Sequence, residues 1–65
     1  MIDKWFKKPF DVYASDGTCY PDVIHVEVRD NDSDSYIEDV NGEILFFDEM
    51  DYSMVENVLE IVDTK

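Results

Sequence analysis

The chain contains only two glycines, and each completes a turn dipeptide: Asp16-Gly17 and Asn41-Gly42. A two-residue hairpin loop needs backbone with positive φ, which these residues adopt at little cost. Asn41-Gly42 is the stronger signal, because Tyr36 to Val40 precedes it and Glu43 to Phe47 follows it, both rich in strand-forming residues. Counting outward from a two-residue loop, Val40 faces Glu43, Ile37 faces Phe46 and Tyr36 faces Phe47, so aromatic pairs pack across the strands. Two hairpins are therefore expected in a chain of 65 residues.

The rest of the pattern fits around them. Phe10 to Ser15 reads as extended and Thr18 to Tyr20 as its return, with Pro21 breaking the return or placing it at an edge, since proline donates nothing to a ladder. Ile24, Val26 and Val28 then alternate with His25, Glu27 and Arg29, the period-2 signature of a strand with one buried face. Ahead of Pro9, the spacing of Ile2, Trp5 and Phe6 suits one helical turn, and the same residues could equally begin a strand. At the other end, Met54, Val58 and Val62, with Val55 and Leu59 beside them, form the apolar stripe of a helix. Ser53 and Glu56 have the spacing of a capping box, and Glu56, Glu60 and Asp63 fall on the outer face. The expected fold is α+β: a small antiparallel sheet of about four strands (β-β-β-β-α), one face covered by the C-terminal helix and the other partly open. Residues 1–65 make one small acidic domain, and a domain of this size buries only about 60% of its unfolded surface.

Charge is the second constraint. Seventeen acidic residues stand against five basic ones, a formal charge of -12, and Arg29 is the only base between Pro9 and Thr64. Direct binding to nucleic acid or to an anionic membrane needs a basic footprint, so neither is expected. A field of this sign attracts basic surfaces instead. The single cysteine, Cys19, cannot close an internal disulfide, and no apolar run has the length of a signal peptide or membrane span, so a reducing cytoplasm is the expected compartment.

Chemistry-bearing patterns are sparse. Asp30, Asp32 and Asp34 match the first three ligand positions of a calcium loop, but Ser35 stands where the glycine belongs and Asn41 where the bidentate glutamate belongs. His25 is the only histidine; on the polar side of an alternating strand it is expected at the surface, exposed or hydrogen-bonded. Cys19 is expected as a small core or sheet residue, and with His25 it lacks the further ligands that zinc needs. No phosphate-cradling glycine loop is present, and a chain this small has little room for a catalytic cleft. No catalytic residue, metal site or cofactor is expected.

What remains is the acidic surface. Along an extended segment, alternate side chains emerge from one face about 6.6 Å apart, so Asp30, Asp32 and Asp34 would form a row of negative charge. Glu38 and Asp39 would extend it, and Asp48, Glu49 and Asp51 would make a second patch where sheet passes into helix. In size, acidity and lack of catalytic residues, the chain is similar to small inhibitors encoded by bacteriophages, including DNA mimics that block host nucleic-acid enzymes or defence complexes. The resemblance is compositional and assigns no residue a role. It implies a non-enzymatic binding protein, acting in the host cytoplasm, whose acidic face occupies a basic nucleic-acid-binding cleft. The alternative is a small structural or assembly subunit that packs or dimerises through Trp5, Phe6, Phe10 and Tyr13, with acidity serving solubility.

Overall fold

The computed structural model describes residues 1–64. Strands β1 (Ile2–Tyr13), β2 (Cys19–Val28), β3 (Tyr36–Asp39) and β4 (Ile44–Phe46) form one antiparallel sheet in the order β1-β2-β3-β4. A single 3-10 turn, Phe47–Glu49, leads to helix α1 (Tyr52–Thr64). The expected β-β-β-β-α order and α+β class are both present.

Both hairpins differ from expectation in the same way. Ala14 N–H bonds the Thr18 carbonyl and Gly17 N–H returns to Ala14, so the first loop holds three residues; Asp39, Gly42 and Glu43 repeat the arrangement in the second. In each loop only the glycine has positive φ, 91° at Gly17 and 81° at Gly42, as in a type I turn closed by a left-handed residue. The extra loop residue shifts the β3–β4 register by one. Tyr36 pairs with Phe46, Ile37 with Leu45 and Glu38 with Ile44. A one-residue shift moves side chains to the opposite face. Ile37, which also pairs with Val26 of β2, lies fully buried in the core, while Ile44 and Phe46 emerge on the other side.

The N-terminal segment is strand from Ile2 onward, so the helical alternative is excluded. Trp5 pairs with His25 and Phe10 with Val23, which leaves Phe6, Lys7, Lys8 and Pro9 opposite Ile24 alone. Pro9 lies within that bulge, where its missing donor breaks no ladder bond. Cys19–Tyr20 and Ile24–Val28 are likewise parts of one strand: Pro21 and Asp22 bulge out, with Asp22 at φ 59° and its N–H on Asp11. Pro21 bends the strand without ending it, because β3 does not begin to pair with β2 until Val23.

The core lies between the sheet and α1. Val12, Val23, Val26 and Ile37 from the strands meet Phe47 and the helix stripe Met54, Val55, Val58 and Val62. Phe6 and Phe10 meet edge to face and pack against this cluster. The helix begins at Tyr52, two residues earlier than the Ser53 signal implied: Asp51 accepts from Ser53 N–H, and the Asp51 carbonyl receives Met54 and Val55 N–H. Ser53 Oγ is thus free to accept Ser15 N–H at 2.8 Å. Tyr13 N–H reaches Asn57 Oδ1, and Lys4 Nζ reaches the Val62 carbonyl at 3.3 Å, a cation at the negative helix end. These bonds lay α1 along β1.

Candidate functional site

Asp30, Asp32 and Asp34 do not form an extended row. Asn31 accepts Asp34 N–H on both its backbone and side-chain oxygens, and Ser35, almost wholly buried, ties Asn31 O to Arg29 N–H through its hydroxyl. The segment is a compact turn, since Asn and Ser side chains offer the backbone local partners that a strand would replace. The linear spacing of 6.6 Å expected for an extended chain is therefore absent.

The turn does bring together residues that the sequence holds apart. Phe47 N–H bonds the Ser35 carbonyl at 2.9 Å and Asp48 N–H bonds the Asp32 carbonyl at 3.3 Å. Asp30, Asp32, Asp34 and Asp48 consequently share one end of the molecule, all exposed. Among the described residues, the carboxylates in ion pairs are Asp3, Glu27 and Glu38 only. Arg29, the base preceding this turn, points onto Glu27 and is held above its ordinary pKa by that hydrogen bond.

The other expected contact residues divide. Glu49 and Asp51 are exposed along the crossing from β4 to α1, and two hydrogen bonds from Ser53 hold the Asp51 carboxyl below the usual carboxylate range. Asp39 is buried: its Oδ1 accepts Asn41 and Glu43 N–H, and its Oδ2 accepts the Tyr20 hydroxyl. Burial, then the neighbouring Asp39 charge, raises the Tyr20 phenol above its ordinary value, so it remains a donor. Asp39 organises the second hairpin, and Glu38 is engaged by His25. Neither adds a free charge to the acidic end.

The most organised polar group lies on the sheet face opposite α1, where the sequence pattern places His25 at the surface, exposed or hydrogen-bonded. His25 retains only 4% of its exposure, and Glu27 8%. The indole of Trp5 lies parallel to the imidazole, Tyr36 meets the imidazole edge-on at 5.6 Å, and Phe46 meets Tyr36 at 5.6 Å. Four rings thus cross the four strands, and they cover the polar face of β2. His25 Nε2 lies 2.7 Å from Asp3 Oδ1 and Nδ1 lies 3.1 Å from Glu38 Oε1. Tyr36 donates to Glu27, and burial together with the Glu27 charge raises its phenol pKa.

The alternation of β2 marked His25 and Glu27 as facing one way. Their coverage depended on Asp3 and Trp5 being strand residues in matching register, which the ambiguous N-terminal spacing did not reveal. Cys19 is a sheet residue, exposed at the start of β2. It borders a cleft of about 250 Å³ between the first hairpin and Met50 and Met54, edged by Asp16, Glu49 and Asp51. No helix of the described residues is long and apolar enough to cross a membrane. No family model matches the chain, and no curated protein or solved structure matches it.

Proposed function

We propose that this is a non-enzymatic binding protein of the phage-inhibitor type, whose acidic end occupies a basic, nucleic-acid-binding cleft of a larger host protein. The observation that carries the reading is the Asp48–Asp32 backbone bond, which joins two acidic segments into one exposed patch whose neighbouring base, Arg29, is turned onto Glu27. Carboxylates held by a hydrogen-bonded turn keep their spacing at little entropic cost on docking. A lysine- and arginine-lined groove recognises such an array as it recognises phosphates. Asp30, Asp32, Asp34 and Asp48 are the contact residues, with Glu49 and Asp51 at the margin.

The test compares the protein with its Asp32→Lys/Asp48→Lys variant, each immobilised and exposed to bacterial lysate at low salt. Capture of a DNA- or RNA-handling protein by the unmodified chain, its release by duplex DNA, and loss of capture by the variant would support the reading. A partner that ignores DNA, or that the variant retains, would refute it.

A second reading rests on a different observation. Trp5 keeps 62% of its exposure, and Ile44, Phe46 and Val40 are also exposed, giving the open sheet face and its margin an apolar content that solubility alone does not require. An assembly subunit would pack there, and its association would survive high salt.

A further inference from the structure

We propose that Asp3, His25 and Glu27 form a binding site for a divalent transition-metal ion of the zinc and cobalt class. One ligand atom from each residue lies within 4.8 Å of the others, a spacing that a single ion can bridge with modest side-chain movement. The inference goes beyond the acidic-end reading, uses none of its residues and stands or falls separately.

A neutral imidazole has one N–H for two carboxylate neighbours, Glu38 at 3.1 Å from Nδ1 and Asp3 at 2.7 Å from Nε2, so one ring nitrogen always turns a lone pair toward a carboxylate oxygen. With the N–H directed to Glu38, a metal ion shared by Nε2 and Asp3 relieves that opposition and also draws in Glu27.

Three further features favour the metal. Asp3 stands directly across the β1–β2 ladder from Glu27, a like-charge pair that Arg29 offsets from the Glu27 side alone and that a cation shared with Asp3 would offset from both. A carboxylate on the far ring nitrogen is the usual outer support of a metal-bound histidine, fixing its tautomer and orientation; Glu38 occupies that position. The ring is also immobilised between Trp5 and Tyr36. One imidazole with two carboxylates is a zinc-type donor set that leaves outer positions for water, whereas calcium and magnesium prefer all-oxygen shells.

Trp5, the only tryptophan, stacks on His25 and therefore reports on the site. Cobalt(II), which quenches indole fluorescence on close approach, is titrated against the protein in physiological salt with excess magnesium to cover adventitious carboxylates. The expected result is saturable quenching at one equivalent, reversed by zinc. Asp3→Asn, at an exposed carboxylate, should weaken it by about tenfold or more. His25→Gln should abolish it, and Asp32→Asn/Asp48→Asn should leave it unchanged. Circular dichroism establishes that each variant is folded; should His25→Gln fail to fold, Asp3→Asn alone decides. Absence of saturable quenching, equal affinity in Asp3→Asn, or sensitivity to the Asp32/Asp48 pair would overturn the proposal.

Discussion

Trp5 lies flat on His25, with ring centroids 3.9 Å apart and 4° between the planes. The contact spans β1 and β2 at the last regular pair before β1 bulges, so it holds the edge strand where ladder bonding is about to lapse. Such pairs contribute about 0.5–1.5 kcal/mol beyond the area they bury. Trp5→Leu should therefore lower the stability measured by urea unfolding by about that amount. Protection of the β1 amides on the Ile2–Trp5 side should fall more than that of β3 in hydrogen exchange.

Ile37 is fully buried, paired with Val26 of β2 on one side and Leu45 of β4 on the other. Ile37→Ala should cost about 2–5 kcal/mol, and Ile37→Val about 0.5–1.5 kcal/mol. A domain of this length has a total stability of roughly 3–10 kcal/mol. The alanine variant should accordingly lose about half of the total and unfold at a much lower urea concentration, whereas the valine variant should show only a small displacement of the urea curve.

Gly17 and Gly42 meet no atom within 4 Å of where a Cβ would stand, so substitution there is limited by backbone conformation alone. Alanine at either position should destabilise by about 1 kcal/mol or more, read from the denaturation midpoint. Asparagine, which tolerates the left-handed region, should restore part of the loss. Equal losses for alanine and asparagine would mean that something other than φ is at issue.

The same two loops explain how far the sequence could be read. Turn position, strand order and helix stripe were legible because Asn41-Gly42, the β2 alternation and the Met54–Val58–Val62 spacing are local signals. Loop length was not legible, since a dipeptide names a turn without saying whether one or both of its residues take positive φ. That single ambiguity displaced the aromatic pairing from Phe47 to Phe46. Of the expected contact residues, Asp30, Asp32, Asp34, Asp48, Glu49 and Asp51 are at the surface, while Asp39 is turned inward by its own hairpin. His25 was the largest miss. Its burial arises from Asp3, Trp5, Glu38 and Tyr36, which lie on two other strands, and no window along β2 contains them.

Asp16 and Asp51 carry the acid response of the first hairpin and the helix start. Donors on Thr18 and Ser53 respectively lower both carboxyls from the ordinary value of 3.8. A carboxyl depressed in the folded state contributes stability above the unfolded value, and that contribution is lost as pH falls through the folded one. Asp51→Asn keeps an oxygen for the cap and removes the titration. The unmodified chain should therefore melt higher than Asp51→Asn at neutral pH, and the gap should close below about pH 3.8. A gap constant from pH 7 to pH 2.5 would assign the difference to packing.

Asp32 and Asp48 touch through their backbones while both side chains face solvent, so the turn holds like charges together in the free protein. Repulsion of this kind opposes the compact state and is screened by salt, with a reach of about 10 Å at 0.1 M. Raising sodium chloride from 10 mM to 500 mM should raise the melting temperature. Asp48→Lys should raise it too at low salt, and that advantage should shrink as salt increases. The same substitution should weaken capture of a basic partner, so stability and binding would move in opposite directions at one residue. If Asp48→Lys changed neither the low-salt melting temperature nor its salt dependence, the two acidic segments would not be acting as one patch.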